Sequence, residues 1–286
     1  MAHARHRRHS FDLVFQAAAL AALVLALAAL ATLLIDVFTD GWTRLSWQFL
    51  TSGSSRRPEA AGIVHALAGS LWVIVLTAAL ALPVGVGAAI YLEEYGGRGR
   101  LARLVELNIA NLAAVPSIIF GLLGLAVFVR YLAMGRSVMA GAATLAVLVL
   151  PIVILSTREA IAAVPVSVRE ASYALGATKW QTVWHQVLPM AMPGILTGII
   201  LALSRAIGET APLIAIGALT YIPFAPESIW SPFTVLPIQI FNWASRPQSA
   251  FAANAAAGIL VLLGLLVTVN AVAIIARDRW RRRGRA

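Results

Sequence analysis

Arg205 and Glu209 stand four residues apart inside Met192–Leu219, a stretch that is otherwise almost entirely apolar. A guanidinium offers planar, forked donors suited to the oxygens of an oxyanion. A carboxylate one helical turn away can neutralise it. Two readings of the pair stay open. In one, Arg205 and Glu209 form a structural ion pair, although Arg before Glu is the weaker order on a helix. In the other, they line an anion path in which the carboxylate competes for the guanidinium and keeps the hold weak enough for release. Gly194, Thr197, Gly198, Leu201, Gly208 and Pro212 recur with them at spacings of three and four, which predicts one helical face. Gly194-x-x-x-Gly198 permits close approach of a second helix.

A second group lies in the polar stretch from Thr157 to Met190. Pro165 suits the first turn of a helix and Gly176 the left-handed position that ends one. A helix of about eleven residues, roughly 16 Å long at 1.5 Å per residue, is predicted between them. It carries Glu170, Ala171 and Ser172, with Leu188-Pro189 following downstream. A third group, Asn108, Asn111, Pro116 and Ser117, gives polar capacity to another apolar stretch. There Pro116 cannot donate to the Leu112 carbonyl, and either a kink or a path lining would result.

Several chemistries are excluded. The chain has no cysteine, hence no disulfide, thiolate metal site or cysteine nucleophile. Its one lysine, Lys179, is followed by Trp180, so no phosphate-binding Walker loop exists. Energy for any pumping must come from a partner or an ion gradient. His3, His6 and His9 sit among arginines in a short tail and read as soluble tail, not as a metal tract.

The elements that hold these groups must live in lipid. Of 286 residues, 60% are hydrophobic and 12% charged, about half the charge of a soluble domain; mean hydropathy is +0.85. Six stretches are long enough to cross a hydrocarbon core of roughly 30 Å: Leu13–Ile35, Ile63–Leu92, Leu107–Val129, Val138–Leu155, Met192–Leu219 and Ala255–Ala276. The first follows Arg5, Arg7 and Arg8 and contains Ala29-Leu30-Ala31, but its apolar core exceeds that of a secretory signal and predicts a retained span. With an even number of spans, fifteen Lys and Arg residues fall on one side and six on the other, Arg205 lying between. The richer side is expected in the cytoplasm with both termini. The net charge of +10 is thereby topological, and no nucleic-acid partner is expected. The outer segments Asp36–Gly62 and Thr220–Asn254 are long, and the second is rich in proline, which predicts irregular loops or short interfacial helices.

The Glu170-Ala171-Ser172…Gly176…Leu188-Pro189 pattern resembles the Glu-Ala-Ala loop of membrane subunits of bacterial ABC importers, with Ser172 and Gln186 departing from it. Ser204-Arg205-Ala206-Ile207-Gly208-Glu209-Thr210-Ala211-Pro212 and Ala114-Val115-Pro116-Ser117-Ile118-Ile119-Phe120-Gly121 look like signatures of phosphate-specific importer permeases. Leu236-Pro237-Ile238-Gln239-Ile240-Phe241-Asn242-Trp243 points to the PstA type. The similarity runs from about Ile63 to Ala276. It implies an all-α, six-span bundle of the type I importer permease kind with a cytoplasmic coupling helix. Residues 1–62 then form a tail, first span and outer loop, 63–276 the core permease domain, and 277–286 a basic cytoplasmic tail. The resemblance further implies a multi-pass protein of the bacterial inner membrane, importing inorganic phosphate. Arg205, Glu209, Ser117 and Asn111 would line the path; Glu170, Ala171, Ser172, Gly176, Leu188 and Pro189 would couple it to an ATPase dimer. A second permease of the PstC type, an extracytoplasmic phosphate-binding protein and membrane lipid complete the expected partners. ATP and Mg would serve the ATPase, with no cofactor in this chain and no catalysis by it. A permease for sulfate or molybdate and an ion-coupled carrier acting alone are the alternatives.

Overall fold

The computed structural model describes residues 2–97, 99–218 and 221–283, with side chains over 14–97, 99–100, 102–218 and 221–279. The three tail histidines and Arg5, Arg7, Arg8 and Arg98 lie outside the described side chains. The elements are α1 (Ala2–Trp42), α2 (Trp47–Thr51), α3 (Val64–Ile90) with a π-helical turn at Tyr91–Tyr95, and α4 (Arg100–Ala113). There follow α5 (Ser117–Gly124), continued in π form over Leu125–Tyr131, α6 (Val138–Ala162) and α7 (Val166–Ala174). Then α8 (Lys179–Thr182) runs through a π segment, Val183–Val187, into α9 (Leu188–Gly208), followed by α10 (Ala211–Ala215), α11 (Leu236–Ala244) and α12 (Ala250–Arg283).

Among the described residues, five helices are long and apolar enough to cross a membrane, and six spans result if one bent pair is counted. At the centre is α6, whose most apolar window is 67% buried, against none for α1 and α12. Its neighbours α3 and α9 close over it: Ala81, Val149, Val153, Ala202 and Ala206 share one apolar cluster with Phe120. Outside this core, α1 packs along α12. Arg44 clamps their shared end, donating to Asn254 Oδ1 at 2.7 Å and to the carbonyls of Pro58, Glu59 and Ala61 at 3.0, 2.7 and 3.0 Å.

The bent pair corrects the expected third span. Leu107–Val129 is not one helix: α4 ends at Ala113 and the following arm, from Ser117, leaves at 102°. Pro116 lacks an N–H and drives the residue before it out of helical geometry, so the chain breaks instead of kinking. The Leu112 carbonyl is not left free either, since the Val115 N–H donates to it at 3.2 Å. Ser117–Tyr131 is one arm of the bent pair, and α4, carrying Arg100, Arg103 and Glu106, is the other, held against α6.

The fifth span also ends earlier than the expected Leu219 and begins before Met192, running over Lys179–Gly208. Helix α9 stops at Gly208, and Glu209 already has extended backbone, φ −73° and ψ 123°. The proline-rich segment after α10 contains more order than a loop. Pro237 in the first turn sets α11, and Leu236, Ile238, Gln239 and Trp243 are buried. The Leu236 N–H donates to Ser70 Oγ of α3 at 2.8 Å, and Trp243 packs on Phe49 with ring centroids 5.7 Å apart. This helix packs against α12 and α3.

Candidate functional site: an open arginine face and a short polar helix

Of the predicted face, Gly194 to Gly208 lie on α9 and are divided in two by the structure, whereas Glu209 and Pro212 fall beyond the end of the helix. Gly194 and Gly198 lie against Ala160 and Ser156 of α6; a Cβ at 194 would stand 2.7 Å from that of Ala160, and one at 198 would overlap the Ser156 side chain. The close approach expected from Gly-x-x-x-Gly is made to α6. Further along, Leu201, Arg205 and Gly208 are exposed, because α6 passes to the Ala202 and Ala206 side of the helix. Replacing Gly198 by Val is expected to destabilise the protein by about 2 kcal/mol, the order of cost of overpacking. Gly264→Ala in α12, where no atom lies within 4 Å, is expected to stabilise by up to ~1 kcal/mol. Recovery of folded protein after graded heating measures both.

Arg205 sits in the last turn of α9, where the carbonyl end of the helix favours a cation. Its Nε donates to Glu209 Oε1 at 3.0 Å, with 41% of the arginine side chain and 15% of the glutamate exposed. Among the described residues no group accepts from either terminal nitrogen of the guanidinium. Glu209 is outside the helix, so helical pair order does not govern this contact. The neighbouring Ser204 Oγ turns the other way, 2.7 Å from the Ile200 carbonyl and 2.6 Å from Asn270 Oδ1 of α12. Thr197 on the same helix accepts from Arg277 of α12 at 3.3 Å. Asn270 is not among the residues that the sequence motifs single out; a lone amide in an apolar span is the signal that could have found it.

The two sequence signatures meet in space. A Cβ on Gly121 of α5 would stand 2.6 Å from Pro212 Cα and 2.6 Å from Ala215 Cβ of α10, so the glycine is what lets these segments touch. Asn111 and Ser117 are separated by the Pro116 break, Asn111 on an exposed position of α4 and Ser117 in the first turn of α5. Among the described residues no hydrogen bond joins either to Arg205 or Glu209.

At the far end of α6 is the predicted short helix, α7, nine residues long. Pro165 caps its start. Its end is a Schellman turn: the Gly176 N–H donates to Tyr173 O at 2.9 Å and the Ala177 N–H to Ser172 O at 3.2 Å. Gly176 has φ +82°, and a Cβ placed on it would meet no atom within 4 Å, so this junction is open within this chain. Ser172 Oγ pairs with the buried Thr182 Oγ1 at 2.9 Å. Glu170, Ala171, Tyr173 and Leu175 are exposed, Leu175 by 90%. Leu188 is buried at the start of α9 with Pro189 beside it, directly after the π segment Val183–Val187. The helix therefore has one face fixed to the bundle and one bare apolar-acidic face.

A long buried span core, a broken third span and a short helix between the fourth and fifth spans define a membrane permease component. The chain belongs to the family of binding-protein-dependent transport system inner membrane components, whose model matches residues 81–281. It is 35% identical over 266 residues to the phosphate transport system permease protein PstA 1 of Mycobacterium tuberculosis, covering 92% of this chain and 86% of that one. It is 37% identical to the phosphate transport system permease protein PstA of Yersinia pestis over 76% of this chain and 74% of that one. Among solved structures it resembles the inward-facing MetNI methionine ABC transporter, with a TM-score of 0.56, 24% identity, and coverage of 78% of this chain and 94% of that one. The likeness supports the type I importer permease fold.

Proposed function

We propose that this protein is one of two membrane subunits of an ATP-driven importer of inorganic phosphate, and that Arg205 forms part of the phosphate path. The observation that carries the reading is Arg205 itself: a guanidinium on an open helix face, held through Nε by one carboxylate and keeping both terminal nitrogens for an oxyanion. Arginine matches phosphate oxygens by fork geometry as well as charge. Glu209 offsets the charge between transport events. The PstA relatives supply the same substrate class in their names.

In this reading α7 docks on a partner ATPase, which hydrolyses ATP with Mg, and this chain performs no covalent chemistry. Glu170, Ala171, Ser172 and Gly176 belong to the docking element, and Leu188-Pro189 joins it to α9. A PstC-type permease covers the open α9 face, and an extracytoplasmic phosphate-binding protein delivers the anion. Uptake of labelled phosphate by the complex in vesicles, with excess unlabelled sulfate or molybdate, tests selectivity; equal competition by sulfate would move the assignment to a general oxyanion permease. Uptake without any ATPase would instead make it an ion-coupled carrier.

Orientation follows from the fifteen-to-six charge asymmetry. Reporter fusions after Arg103 and Lys179 are expected to read cytoplasm, and one after Arg57 the exterior. Exterior labelling at Lys179 would remove both the orientation and the docking role of α7.

A further inference from the structure

The turn that ends α3 is a hub. Over Tyr91–Tyr95 the helix relaxes into π geometry, and its three last side chains each engage a cation from a different segment. Glu93 takes Arg158 of α6 at 3.3 Å, Glu94 takes Arg169 of α7 at 2.7 Å, and the Tyr95 ring lies 4.9 Å from Lys179 Nζ at the start of α8. Successive residues on a helix point in directions about 100° apart, so one turn can reach three neighbours. Local π geometry commonly marks functional positions in helices.

The three contacts are not equal. Arg158 divides itself between Glu93 and the half-exposed Glu106 of α4. The Lys179 contact is a cation over a ring. Arg169–Glu94 is the buried one, with 16% and 6% of the side chains exposed. Arg169 reaches Glu94 Oε1 through both Nε (3.1 Å) and Nη2 (2.7 Å). It also donates from Nη1 to the Val164 carbonyl at 2.8 Å and from Nη2 to the Ile161 carbonyl at 3.1 Å. The Ile161 carbonyl lies in the last turn of α6 and the Val164 carbonyl in the link that follows it, and the carbonyl end of a helix favours a cation. One side chain thus ties α7 to the ends of two core spans.

On α7, Arg169 immediately precedes the bare face of Glu170, Tyr173 and Leu175, and is not part of it. We propose that the Arg169–Glu94 pair is a transmission pin: a positioning contact that passes movement of the docking helix to α3, distinct from the docking surface and from the anion path. The inference rests on α7 being the ATPase-docking element. A charged contact with two donor bonds to Glu94 and little exposure is short and stiff, so displacement of α7 must carry the end of α3 with it or break the pair. Exposed contacts such as Arg158–Glu106 yield more easily.

The test uses the assembled complex in lipid vesicles and reads three quantities: ATPase copurification, ATP hydrolysis, and phosphate taken up per ATP hydrolysed. The variants are Arg169→Gln, Glu94→Gln, the double variant and Arg169→Lys. The double variant matters because it leaves no unpaired buried charge and so preserves assembly where a single change could fail. In the double variant, copurification and hydrolysis are expected to persist while uptake per ATP falls about tenfold, the scale of coupling changes produced along a transmission network. Arg169→Lys, which keeps the ion pair but cannot span all four bonds, is expected to retain more of the coupling than Arg169→Gln. Normal uptake per ATP in the double variant overturns the pin. Loss of copurification in the double variant also overturns it, by making the pair part of docking. If the wild-type chain itself fails to hold the ATPase, the docking reading falls and the pin falls with it; coupling that survives with docking intact removes the pin alone.

Discussion

Arg205→Lys is expected to lower phosphate uptake per assembled complex by roughly ten- to hundredfold, equivalent to losing one hydrogen bond to a charged group, about 1.5–3 kcal/mol. The reason is the division of labour within the guanidinium. Glu209 occupies Nε, and the terminal nitrogens remain for an anion. A lysine has one ammonium, for which Glu209 and phosphate must compete. Arg205→Gln carries a second cost, since it leaves a mostly buried Glu209 uncompensated; breaking a buried pair from one side costs about 3–5 kcal/mol. Loss of assembly in that variant alone would not separate path from pillar. The double change Arg205→Gln with Glu209→Gln does. It is expected to assemble and to hydrolyse ATP, yet not to import. Normal phosphate import by the double variant would make Arg205 structural.

Gly176→Asp is expected to abolish ATPase copurification or uptake while leaving membrane insertion intact. Two effects contribute, and the structure allows them to be separated. The left-handed backbone at φ +82° penalises a side chain by about 1–2 kcal/mol, less for Asn or Asp, which tolerate that region. Inside this chain a side chain would meet nothing, so steric cost arises only against a docked partner. Asn and Asp have the same shape; Gly176→Asn tests conformation and bulk, and Gly176→Asp adds charge to a surface that already presents Glu170. Gly176→Asn is expected to keep more of the copurification than Gly176→Asp. Full transport with normal ATPase copurification in Gly176→Asp would count decisively against α7 as the docking element.

Helix α7 is legible in the sequence because its signals are local. Pro165 and Gly176 act through their own backbone, proline by fixing φ and glycine by accepting a positive one, and they bound a helix whatever surrounds it. The nine residues found against about eleven expected differ only in how the ends are counted. The long apolar runs are legible for a similar reason, since the transfer of about twenty side chains into lipid outweighs any detail of their neighbours. Hydropathy fails where a local break is embedded in an apolar run. Leu107–Val129 passes the length criterion, yet Pro116 divides it into helices 102° apart. Met192–Leu219 passes too, yet α9 ends at Gly208, so Glu209 belongs to the cap and Pro212 to the next element.

By itself, then, the sequence determined the membrane class, the caps of α7, the placing of Arg205 and Glu209 within reach of each other, and the glycine pair that admits another helix. Each follows from composition, spacing of a few residues, or the intrinsic geometry of Pro and Gly. Tertiary structure alone decided that α6 is the helix admitted, that Gly121 meets Pro212, that α11 is buried against α3 and α12, and that Arg169 finds Glu94. These partners are separated by tens of residues, 75 in the case of Arg169 and Glu94. In such pairs the residue types permit many matches, and the packing of whole spans selects one. An arginine on a short polar helix reads in the sequence as one more positive charge on its side of the membrane. Only when α3, α6 and α7 converge does it acquire a buried carboxylate and the carbonyls of Ile161 and Val164 as partners.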